Sequence, residues 1–179
     1  MLKYCDFVDK VKGLVTIALG DDDAYYESIG MVKRDVEQSD VDNQWYLAPM
    51  CPHKTDEEKL KEAKENKYKE ALDGADDYLK NEAAYQYDEN NSIEATDGNI
   101  GKMNAYLTGL QSGMIESVEW TSREDNVLIL NLEDVTRILF GIGAVQTDIW
   151  CNKFIAYKKK IERARTVRAV NAIVIDYSE

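Results

Sequence analysis

The chain has 179 residues, with 34 acidic against 22 basic side chains and a net charge of −12; 44% of its residues are hydrophobic and 31% charged. That suffices for one domain or two small modules with cores of their own, and the acidity opposes binding to nucleic-acid backbones or anionic membranes. No run approaches the roughly 18 apolar residues of a membrane span, and the stretch from Met1 to Asp9 lacks the apolar core and cleavage site of an export signal.

Residues 1–50 read as a small β-rich module. Leu14–Leu19 is a strand-like run after Gly13. Asp21, Asp22 and Asp23 open a short helix through Tyr25 and Tyr26 that stops at Gly30. Met31–Gln38 alternates apolar and charged residues, with Val32 and Val36 on one face and Arg34 between them. Ser39–Asn43 is turn chemistry, and Gln44–Leu47 returns as the partner strand of a hairpin.

Residues 51–80 read as a linker and a charged connecting helix. Pro49 and Pro52 bracket Met50 and Cys51 and mark the boundary, because proline continues neither helix nor ladder. Thr55 and Glu58 then match a capping box. Leu60, Ala63, Tyr68, Ala71 and Leu72 form a narrow apolar stripe, which suits a connecting or oligomerising helix rather than a core helix.

Residues 81–179 read as an α+β module. Tyr85–Tyr87 and Ile93–Ala95 flank a polar turn, giving a hairpin. A helix over Asn99–Gln111 aligns Ile100, Met103, Leu107 and Leu110, and Gly113 ends it. A second hairpin carries Trp120, which is expected in the core. A long helix capped by Asn131 follows, with Val135, Ile138, Leu139, Ile142, Val145 and Ile149 on its apolar face. Gly141 and Gly143 predict a kink or a close helix approach near Phe140. Thr166 caps a last short turn before Ile173–Ile175. The fold class expected is α+β: an N-terminal β module, a charged helix, and a C-terminal module of two hairpins and helices, one of them long.

Groups suited to bond chemistry are scarce. Cys5, Cys51 and Cys151 are odd in number and far apart, which opposes a disulfide framework and fits a reduced history; Cys5 in a strand and Cys151 in a helix read as buried small side chains. The sole histidine, His53, lies near Cys51, but the other two cysteines are remote, so a four-ligand zinc site is not expected and His53 reads as an exposed linker residue. Asp88, Asn90, Ser92 and Glu94 alternate like calcium ligands, yet Ile93 stands where that loop needs glycine, so turn chemistry is the better explanation. Neither a phosphate-binding glycine loop nor a nucleophile elbow occurs. Lys158, Lys159, Lys160, Arg163, Arg165 and Arg168 make a basic patch without an aromatic stacking platform; cations at a helix C-terminus explain it. No catalytic residue, metal or cofactor is expected. Tyr25, Tyr26, Trp45 and Tyr46 form an aromatic set that either fills a small core or belongs to an interaction surface.

Several motifs between Asp56 and Ala172 carry a resemblance. They are the charged helix, Tyr85-Gln-Tyr-Asp-Glu-Asn-Asn-Ser-Ile93, Val118-Glu-Trp-Thr-Ser-Arg-Glu-Asp-Asn126, the helix opened by Asn131, and Tyr157-Lys-Lys-Lys-Ile-Glu-Arg-Ala164 with its continuation to Ile173. Together they resemble a domain family of unknown function in tailed bacteriophages and prophages, encoded near tail-fibre genes. The layout of the N-terminal hairpin, ending in Gln44-Trp-Tyr-Leu47 before proline and a charged helix, is similar to tail-fibre assembly proteins. The resemblance implies a structural or assembly role in a phage tail, in the virion or in the host cytoplasm during assembly. It also implies a tail-fibre, receptor-binding or baseplate protein as partner; the stripe on the charged helix adds further copies of the chain, and the acidity leaves neither nucleic acid nor membrane expected. A cytoplasmic carboxylate-dependent enzyme or a regulatory binding protein is the alternative.

Overall fold

The computed structural model describes residues 1–20 and 22–178, so Asp21, expected in the first helix, lies outside the described residues. The chain is α+β and divides into two compact units, Met1–Lys59 and Leu60–Glu179.

The first unit is a closed four-stranded barrel in the order β1-β2-β4-β3, from β1 (Leu2–Asp9), β2 (Leu14–Ile17), β3 (Val32–Gln38) and β4 (Trp45–Leu47). The expected hairpin of β3 and β4 is present, with Glu37 opposite Tyr46 and Gln38 opposite Trp45. Closure depends on β1, which is long enough to pair twice: Cys5 stands opposite Ile17 of β2 and also opposite Val32 of β3. Alternation along the strands turns Cys5, Val15 and Val36 into a small core, sealed by Phe7, Ile17, Trp45 and Leu47. The Arg34 guanidinium lies 4.6 Å from the centre of the Phe7 ring. Gly13 at φ 70° makes the β1–β2 turn, and Asn43 at φ 66° the β3–β4 turn. A six-residue helix α1 (Asp23–Ser28) starts at Asp22, whose side chain accepts the Tyr25 amide.

Helix α2 (Asp56–Asn81), most of which belongs to the second unit, begins at the expected box: the Glu58 amide donates to Thr55 Oγ1 at 3.2 Å and the Thr55 amide to Glu58 Oε2 at 2.8 Å. The helix differs from the expected solvated connector. From Ala71 onward it enters the core through Ala71, Ala75 and Leu79. Ala71 and Ala75 add little to an apolar stripe, yet their small side chains let other chain segments approach closely. Tyr177 donates its hydroxyl to the Ala71 carbonyl at 2.7 Å, and its ring and Ile175 lie over Gly74.

The hairpins are β5 (Ala84–Gln86) with β6 (Ser92–Glu94), and β7 (Val118–Thr121) with β8 (Val127–Leu130). Thr96 caps α3 (Asp97–Gln111), which packs on α4 (Leu132–Thr147). Asn131 forms a full capping box with Asp134. Gly141 provides a close approach, but to a strand: a Cβ there would overlap the Tyr85 ring. The break in helical register comes later, as a π-helical turn over Asp148–Phe154 before α5 (Ile155–Arg163). Buried Ile142 and Ile149 are two α-helical turns apart, whereas the next buried residue is Phe154; the wider turn absorbs the additional residue and keeps Phe154 inward. Cys151 falls on the outer side of that turn and is exposed, not buried as expected, because Ile149 and Phe154 take the inward positions. Trp120 is likewise half-buried instead of central, set edge-on to Tyr106 at 6.2 Å with the Lys102 ammonium 5.7 Å from its ring centre. A two-stranded hairpin covers one face of a tryptophan and leaves the rim to solvent. Thr166 caps α6 (Val167–Asn171), as the sequence indicates.

Candidate functional site

The motifs that carry the resemblance prove to be joinery. The turns of the two hairpins clasp each other: Glu124 accepts the Ser92 amide at 2.7 Å and the Ser92 hydroxyl at 2.5 Å. Asn91 Oδ1 accepts from Ser122 at 3.2 Å and from Asn126 at 2.9 Å, while the Asn91 amide nitrogen donates to Asp88. The two hydrogen bonds from Ser92, side chain first and then backbone, favour the ionised form and hold the Glu124 carboxyl down at about 2. Asp88, Asn90, Ser92 and Glu94 do not converge: Asp88 folds back on Asn90 and Asn91, and Ser92 turns to Glu124. The second unit's most conspicuous polar cluster is therefore saturated by its own partners.

The aromatic set of the first unit separates. Tyr46 is only 8% exposed, and its hydroxyl donates to Asp42 at 2.7 Å, which raises its own pKa and lowers that of Asp42. Tyr46 therefore offers no contact surface. Trp45 faces the barrel core but also lines an open groove of about 450 Å³ with Val8, Leu14, Ile17 and Leu19. Tyr26 is half-buried, 5.9 Å from Tyr4 between ring centres, and Tyr25 stands edge-on to it and exposed. The groove's open apolar residues are Leu19 at 93% exposure and Val8 at 65%; the sequence shows Leu19 only as part of a strand-like run and assigns Val8 no role. Phe140, which the sequence marks only as the neighbourhood of a kink or close helix approach, is another exposed apolar residue. It is 77% exposed beside Leu132 on the face of α4 opposite Ile138 and Ile142, and its spacing from the apolar stripe was the available signal.

Among the described residues, one group of metal-ligating types converges: the donor atoms of Glu37, Cys51 and His53 all lie within 4.8 Å of one another. Cys51 is extended, at φ −67° and ψ 122°, and residues two apart on extended chain share a side, so the thiol and the imidazole fall together. Ser39, 1% exposed, fastens this strap to the end of β3 by donating its hydroxyl to the Pro52 carbonyl at 2.8 Å. His53 Nε2 is 3.7 Å from Glu37 Oε2, and Nδ1 is 3.8 Å from Asp40 Oδ1. Asp40 is itself held by the Lys54 amide at 2.7 Å and the Lys59 ammonium at 3.0 Å, which keep its carboxyl below the ordinary range. Partial burial and then the carboxylates of Glu37, Asp40 and Asp42 push the Cys51 thiol up. The sequence sets only the cysteines beside His53 as further donor types; the third group of the cluster is Glu37 on β3, which lies opposite Tyr46 in the ladder.

Comparison of the chain with protein families, with curated proteins and with solved structures gives no match to any of them.

Proposed function

We propose that the chain is a non-enzymatic bacteriophage tail protein, acting near the tail fibre or baseplate as a structural component or a fibre-assembly factor, through protein–protein contacts. The observation that supports contact as its mode of action is the groove on the barrel. Val8, on the outward side of β1, and Leu19, just past the end of β2, stand open to water beside Trp45 where polar side chains are the rule. The resemblance supplies the partner class: a fibre, receptor-binding or baseplate protein, or another copy of the chain, met in the virion tail or in the host cytoplasm during assembly.

Co-expression of the full chain with phage fibre and baseplate proteins, followed by affinity capture, tests this reading. Leu19→Asp should weaken capture by roughly tenfold or more, since a few apolar anchors carry most of an interface, and its thermal melt should match the parent. Phe140→Asp serves as the comparison in the other unit. A full-length chain that captures neither fibre nor baseplate nor itself sinks the reading.

A further inference from the structure

We propose that Glu37, Cys51 and His53 bind one divalent ion of the zinc class, with Asp40 as the group that orients His53. This goes beyond the contact function and does not depend on it.

The donor set is a thiol, an imidazole and a carboxylate. Hard cations such as calcium and magnesium take oxygen donors, whereas a thiolate with an imidazole selects zinc and its neighbours. Around zinc, bond lengths of about 2.0–2.3 Å in a tetrahedron put ligand atoms about 3.3–3.6 Å apart. The Nε2–Oε2 distance of 3.7 Å is already close to that range. The widest pair, within 4.8 Å, needs about one ångström of side-chain adjustment. The side chains of His53 and Glu37, 45% and 50% exposed, are free to make it. A thiolate and a carboxylate neutralise the dication, and three protein ligands leave a fourth position for water or a partner's side chain.

Asp40 supplies the outer support that such sites use. A ligating imidazole generally gives its second ring nitrogen to a carboxylate or carbonyl, which fixes both tautomer and ring orientation. Here Nε2 faces Glu37 while Nδ1 faces Asp40 Oδ1, and Asp40 cannot swing away because Lys54 and Lys59 hold it. The backbone is prepared as well. The Ser39–Pro52 hydrogen bond seats the strap, and the Thr55 capping box anchors its far end at α2. Occupancy would thus tie the segment after β4 to the outer face of β3.

The experiment is a cobalt titration of the reduced full-length protein, read by the thiolate-to-metal charge-transfer band, followed by displacement with zinc. About one equivalent should bind per chain. Cys51→Ser should abolish the band while Cys151→Ser keeps it. Asp40→Asn should weaken zinc by roughly 10–100-fold, and His53→Ala and Glu37→Gln, which each remove a ligand, by at least as much. His53 and Glu37 are exposed, so those two variants decide the matter even if Cys51→Ser fails to fold. Absence of saturable binding overturns the proposal. So does a band that follows Cys151, or zinc affinity unchanged in both His53→Ala and Glu37→Gln.

Discussion

Gly141 and Gly143 sit two residues apart in α4, and alanine at each should act with opposite sign. In a helix interior, Gly→Ala gains about 0.5–1 kcal/mol from backbone entropy alone. At Gly143 nothing lies within 4 Å of the new methyl group, so Gly143→Ala should stabilise by that amount. At Gly141 the methyl group would overlap Cγ, Cδ2 and Cε2 of Tyr85. Cγ lies near the root of the side chain, so the ring cannot swing clear by bending its tip. It must leave its place between β5 and α4, where Tyr85 stands opposite the buried Ile93. Overpacking of that kind costs about 1–3 kcal/mol. Set against the propensity gain, the net effect is a loss of up to about 2.5 kcal/mol. Urea denaturation followed by far-UV circular dichroism reports both variants, since most of the helix belongs to the second unit. A Tyr85→Ala background should convert Gly141→Ala from destabilising to stabilising, as a double-mutant cycle would record. If Gly141→Ala stabilises as much as Gly143→Ala in the parent, the close approach of Tyr85 to α4 is wrong.

Acid should release the clasp between the hairpins. The folded Glu124 carboxyl is depressed to about 2 from an ordinary 4.5, so its contribution is complete above the unfolded value and fades as pH falls from there toward about 2. The melting difference between the parent and Glu124→Gln should hold steady above about pH 5 and shrink below it; a difference that persists unchanged into acid contradicts the assignment. Packing sets two costs: Ile138→Ala, at a fully buried site, should lose about 2–5 kcal/mol, and the half-buried Trp120→Ala less than the roughly 3–5 kcal/mol of a central aromatic. A Trp120→Ala loss of the full roughly 3–5 kcal/mol in chemical denaturation would return Trp120 to the core.

What the sequence determined by itself is the local structure. Thr55 with Glu58, Asn131 with Asp134, and Thr166 before Val167 each satisfy free helical amides from within four residues, so helix starts were legible without a fold. The same holds for the turns at Ser39–Asn43 and Asp88–Ser92, where short polar side chains hydrogen-bond their own backbone. Tertiary structure decided whatever depends on two segments meeting. Barrel closure rests on β1 pairing at both edges, which no strand pattern encodes. The alanine run of α2 became core because Tyr177, a hundred residues on, lies against it. The π turn arose from the demand that both Ile149 and Phe154 face inward. Glu37 joins Cys51 and His53 for the same reason: a ladder position on β3 and a strap fastened by Ser39 are brought to one place only when the barrel closes.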